Sequence, residues 1–117
     1  MQTEHYTLAL LYLRDDTPEL SEQEEDALQD AHMAHLSALH DRGELLAAGP
    51  VLGSPDRRLR GFGIYRGTVD EVRSLTATDP GVLGGRYRSE IHPWMTPVGL
   101  IDFRHGRLPA SMAEATG

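Results

Sequence analysis

The sequence contains no cysteine and no lysine, and it has no apolar run long enough to cross a bilayer. Without cysteine there is no disulfide framework, no thiolate nucleophile and no Cys-based zinc or iron–sulfur site, an absence that fits a cytoplasmic protein. Without about 18 consecutive apolar residues there is no transmembrane helix. The opening MQTEHYTLALLYLRDD puts no basic residue ahead of its apolar core, which argues against a secretory signal and for a first strand. Positive charge is also scarce: 11 basic residues, all Arg, against 18 acidic ones leave a net charge of −7. Nucleic acid and anionic membrane are therefore not expected partners, because such binding rests on neutralising phosphates. The use of Arg alone is read as compositional bias.

What is present describes one globular domain. A chain of 117 residues, 39% hydrophobic, can bury a core without covalent staples. The expected organisation is a single domain over residues 1–104 and a frayed C-terminal tail over 105–117. Residues 5–13 read as a strand covered on both faces. Ser21 and Glu24 have capping-box spacing and open a helix that runs to about Asp41 and stops at Gly43. Residues 44–52 suit a second strand, with a bulge or strand end at Gly49-Pro50. Residues 59–65 alternate as a third strand. Thr68 and Glu71 repeat the capping box before a second helix, after which Asp79-Pro80 either ends that helix or caps a further short turn. Residues 87–94 form a fourth strand, Pro93 and Pro97 break the pattern, and a last apolar run covers 98–103. This strand–helix–strand, strand–helix–strand order predicts an α+β, ferredoxin-like fold, an antiparallel sheet with two helices on one face. Its open sheet face predicts a homodimer.

The candidate chemistry lies on the first helix. Leu28, His32, His35 and Leu39 fall in one stripe at about 100° per residue, so two imidazoles stand where core residues belong. A single histidine there reads most simply as a core residue bonded to a carbonyl. Two of them point to a polar pocket between helix and sheet, because each buried imidazole without partners costs about 1–3 kcal/mol. Imidazole also exchanges protons near neutrality. The His32–His35 spacing would suit a shared metal, but no motif marks a third ligand among Glu25, Asp79 or His92, so neither metal nor cofactor is expected. His40 lies off the stripe and reads as a capping or surface residue at the helix C-terminus. Asp79 is a carboxylate able to orient an imidazole, or equally a plain helix cap. The glycine-rich Gly81-Val82-Leu83-Gly84-Gly85-Arg86 lacks the Lys-Ser/Thr of a phosphate loop, and no Gly-x-Ser-x-Gly elbow is present.

The chain resembles the YCII-related domain family. The resemblance rests on His32, on His40-Asp41-Arg42-Gly43-Glu44-Leu45-Leu46-Ala47-Ala48-Gly49-Pro50, on Gly61-Phe62, Asp79-Pro80 and Gly85-Arg86-Tyr87, and on Pro93-Trp94. It implies a dimeric α+β barrel of ferredoxin-like subunits with a His–Asp pair in a pocket between helix and sheet, the histidine falling on His32 and the aspartate on Asp79. His35, Gly49 and Pro50 are then expected to line that pocket. Most members have no established reaction, while one branch removes chloride from chlorinated hydroxyquinols. The acidic stretch from Pro18 to Asp26 and the segment after Pro97 depart from the family pattern. Two functions follow as expectations. One is an enzyme using His32 and Asp79 as an acid–base pair in an elimination or isomerisation of a small cyclic substrate. The other is a noncatalytic module that binds a small ligand or supports a partner, with His32–Asp79 a structural bond.

Overall fold

The computed structural model describes residues 1–116. Four strands, β1 (Thr3–Leu13), β2 (Leu45–Pro50), β3 (Leu59–Tyr65) and β4 (Tyr87–Pro97), form one antiparallel sheet in the order β2-β3-β1-β4. The long helix α1 (Glu22–Asp41) links β1 to β2, and α2 (Val69–Ala77) with the single turn α3 (Pro80–Leu83) links β3 to β4. This α+β order is compatible with the ferredoxin-like fold.

Local chemistry sets the helix ends. Ser21 Oγ accepts from the Glu24 amide at 3.1 Å while Glu24 Oε1 accepts from the Ser21 amide at 3.1 Å, and Thr68 with Glu71 closes the same reciprocal box on α2. Gly43 ends α1 at a φ of 79°, a conformation that favours a residue without Cβ. That turn lets the amides of Gly43 and Glu44 close back on the carbonyls of His40 and Leu39 at 2.9 and 3.0 Å.

Strand pleating then divides the residues between two faces. Thr7, Ala9, Gly63 and Tyr65 lie on the helix side, where Leu39 of α1 and Val72 of α2 join Ala9, Leu45 and Tyr65 in one buried cluster. Both helices therefore cover the same face. Leu45 and Val72 are fully buried, and each such side chain contributes about 1.5–3 kcal/mol by leaving water. The other face carries Leu8, Leu10, Phe62 and Ile64, with Tyr6 beside Trp94 and the Arg88 guanidinium 4.5 Å over the Tyr12 ring.

Two expectations change, for β4 and for the tail. β4 runs unbroken through Pro93 and Pro97, which pair with Thr7 and Thr3. It is an edge strand, and two prolines four apart point their missing amide hydrogens to the same, unpaired side. The apolar run 98–103 lies outside the strands and sets Phe103 edge-on to Tyr6 at 5.2 Å between centroids. β2 ends at Pro50, the strand end expected at Gly49-Pro50, and its register shift lies between Leu45 and Ala47. The tail expected to fray instead packs along α1: Leu108 joins the core cluster, and α4 (Met112–Thr116) is a short helix. Among the described residues no helix is long and apolar enough to cross a membrane.

Candidate active site

A cavity of about 430 Å³ opens between α1, the sheet and the C-terminal segment. Its floor is made of small residues, Ala9, Gly61 and Gly63 on neighbouring strands, and a side chain on Gly63 would meet the Tyr65 ring at 3.2 Å and Leu45 at 3.3 Å. The space thus exists because the sheet lacks side chains where α1 crosses it. α1 supplies Gln29, His32, Met33 and Leu36 as the opposing wall.

His32 and Asp79, 47 residues apart in sequence, meet here. The His32 Nδ1–H donates to Asp79 Oδ2 at 2.7 Å, and the two residues are 6% and 3% exposed. Asp79 is held from its other side, since Oδ1 accepts from the Gly81 amide at 2.8 Å as the N-cap of α3. Pro80 follows as the first residue of α3, where its lack of an amide hydrogen costs nothing. One short turn therefore aims the carboxylate. Tyr87 packs its ring 5.4 Å from the His32 ring, and its hydroxyl donates to Gln29 Oε1 at 3.1 Å. Gly81 makes room for it, because a Cβ there would fall 2.7 Å from the Tyr87 ring. With Nδ1 committed to Asp79, a neutral His32 carries its lone pair on Nε2, which has no hydrogen-bond partner among the described residues.

The predicted residues divide. His32, Asp79, Gly49 and Pro50 all line the cavity, the last two at the rim where β2 ends. His35, expected to line it as well, does not: at 100° per residue Gln29, Leu36 and Met33 lie 40–100° to one side of His32, while His35 lies about 60° to the other. Its Nε2 is buried and has no hydrogen-bond partner among the described residues. Among the described residues no three His, Cys, Asp or Glu side chains gather as metal ligands. His40, expected as a capping or surface residue, is 6% exposed, with Nδ1 2.7 Å from the Leu45 carbonyl oxygen and Nε2 3.1 Å from that of Gly106. The tail buries it, and the His105 ring stacks on it at 5.3 Å.

The sequence reading missed two contributors. One is Tyr65, 3% exposed and lining the cavity, whose hydroxyl has no hydrogen-bond partner among the described residues. Burial, reinforced by the charge of Asp79, pushes its phenol above the ordinary value of 10.0, so it stays a neutral donor. Its strand alternation with Gly61 and Gly63 was the available signal. The sign of the linked stability change follows. Below about pH 10 the phenol is protonated in both folded and unfolded chains; above it the unfolded chain releases the proton first, so stability falls as pH rises towards the folded value. Tyr65→Phe is expected to flatten that alkaline loss, read from urea unfolding between about pH 9 and 11; equal slopes in both proteins would remove the assignment.

The other contributor is the tail, which places Leu108, Pro109, Met112 and Ala115 on the cavity. Its signal was Ser111 and Glu114, a third capping-box spacing.

No functionally curated protein matches the sequence. Among solved structures, the chain is similar to the 5-chloro-2-hydroxyhydroquinone dehydrochlorinase of Burkholderia phenoliruptrix in complex with 2,5-dihydroxybenzoquinone, with a TM-score of 0.57 and 23% identity over 76% of this chain and 92% of that one. At that identity the likeness speaks to the shared fold. The model of the YCII-related domain matches residues 7–95, from the first strand through α1 and Asp79 to the end of the fourth, and the chain accordingly belongs to the YCII-related domain family.

Proposed function

We propose that this chain is a small-molecule enzyme in which His32 transfers protons, Asp79 orients it and Tyr65 donates a hydrogen bond to a substrate oxygen. The observation that carries the reading is the 2.7 Å bond from Nδ1 to a buried carboxylate, which leaves Nε2 as the free basic atom on a cavity of about 430 Å³. A carboxylate behind the ring sets the tautomer and stabilises the imidazolium that forms on accepting a proton. Nε2 takes a proton from an acidic C–H or O–H of the substrate, and the electron pair left behind moves into the ring system. In an elimination from a keto tautomer that pair expels a leaving group such as chloride from a saturated carbon conjugated to it, so that the proton rests on His32, chloride departs and a quinone remains. In an isomerisation the same proton returns at another carbon.

The dehydrochlorinase with a related fold carries a small dihydroxylated quinone, which supports a monocyclic, oxygen-substituted substrate here. A panel of chlorinated and unchlorinated hydroxyquinols tests the reading by chloride release and by uptake of solvent deuterium into the ring. Catalysis on at least one member is the expected result. Binding without chemistry across the panel would leave the noncatalytic module, in which His32–Asp79 is a buried structural bond.

The working form is a homodimer, a dimeric α+β barrel in which two sheets face each other. Support comes from the helix-free sheet face, where Phe62 is 37% exposed beside Leu8, Leu10 and Ile64. Sedimentation at micromolar concentration is expected to give twice the 12.9 kDa chain mass; a monomer alone would discard the barrel.

A further inference from the structure

We propose that the C-terminal segment, residues 106–116, is the specificity-determining wall of the cavity, and that Leu108, Met112 and Ala115 hold the apolar end of the ligand. The inference rests on the cavity being the ligand site, as proposed above, but not on catalysis there. Three observations carry it. First, the family model ends at residue 95, so every cavity contact from the tail lies outside the shared domain. Second, the tail is fastened along one side of α1. The Gly106 carbonyl meets His40 Nε2 at 3.1 Å, Ser37 Oγ donates to the Leu108 carbonyl at 3.3 Å, and the Met112 amide donates to Asp30 Oδ1 at 2.9 Å. Glu114 secures the turn before α4 by accepting from the Ala110 amide at 2.7 Å. Third, the walls differ in chemistry. His32 and Tyr65 carry polar atoms that have no hydrogen-bond partner among the described residues, whereas the tail's lining side chains, Leu108, Pro109, Met112 and Ala115, are aliphatic or a thioether.

Such an arrangement selects an amphipathic ligand, one ring with oxygen substituents towards His32 and an apolar substituent towards α4. A void of about 150 Å³ already accepts benzene. A cavity of about 430 Å³ therefore leaves space beyond one ring, and the tail bounds it.

The experiment measures binding of 4-alkylphenols, from methyl to hexyl, to the full chain by ligand-observed NMR. Each methylene that finds apolar wall adds about 0.8 kcal/mol, close to fourfold in affinity. Affinity is expected to rise at about that rate until the substituent meets α4, and then to stop rising. Ala115→Trp, on the outer helix and away from the core cluster, shortens the longest accepted chain. Met112→Ala lengthens it by one or two carbons. Melting temperatures within a few degrees of wild type certify the fold of both variants. An unchanged chain-length profile in both would overturn the proposal, as would a wild type that binds none of the series. Failure of the acid–base reading has a different signature: a normal size profile in a protein that turns nothing over.

Discussion

His32→Ala is expected to lower turnover of the best hydroxyquinol substrate by about 10²–10⁴-fold, the range supplied by one positioned proton-transfer group. Among the described residues, the imidazole is the only group in the cavity that combines a basic atom with a buried carboxylate behind it. Its removal leaves Asp79 Oδ2 without a partner, but Oδ1 keeps the Gly81 amide and α3 keeps its cap. The fold therefore persists, and the loss falls on kcat. Steady-state rates on wild type and variant, with melting curves as the folding control, decide the matter. Turnover undiminished by the change would remove His32 from the mechanism.

The second large effect is at Asp79. Asp79→Ala strips the cap of α3, at about 0.5–2 kcal/mol. It also leaves the buried Nδ1 of His32 unpaired, at about 1–3 kcal/mol. Against a total stability of about 5–15 kcal/mol for a domain, the loss is plain in a urea titration. Asp79→Asn separates structure from chemistry. Its single amide oxygen can still cap the Gly81 amide, which places Nδ2–H against His32 Nδ1. That nitrogen must then accept, the ring proton moves to Nε2, and the atom facing the cavity ceases to be a base. The asparagine variant should thus stay near wild type in stability and lose about 10²–10⁴-fold in turnover. Alanine and asparagine variants that both turn over as fast as wild type would show that the carboxylate serves α3 alone.

Each strongly local feature was legible before any coordinates. Both helix starts follow from Ser21–Glu24 and Thr68–Glu71, because a capping box is complete within four residues. The stop at Gly43 and the cap at Asp79-Pro80 are equally local. Strand alternation and the order of elements predicted an α+β antiparallel sheet, which the chain has. The resemblance to the YCII-related domain rested on residues inside the matched span 7–95.

What could not be read was adjacency between distant segments. Helical periodicity placed His32 and His35 in one stripe, yet 60° of rotation separates a histidine on the cavity from one beside it, and a pattern of hydrophobic positions is not that fine. His40 looked like a helix-end surface residue because the segment that buries it, 66 residues away at Gly106, has no periodic signal of its own. Pro93 and Pro97 looked like breaks because position at a sheet edge belongs to the assembled sheet and not to the strand. The two glycines on β3 read only as part of the strand's alternation, while in the fold they are the floor of the cavity. Short-range hydrogen bonding thus made the elements and their ends readable from the residues alone; the cavity, its apolar wall and the 2.7 Å meeting of His32 with Asp79 arise only when packing closes the chain on itself.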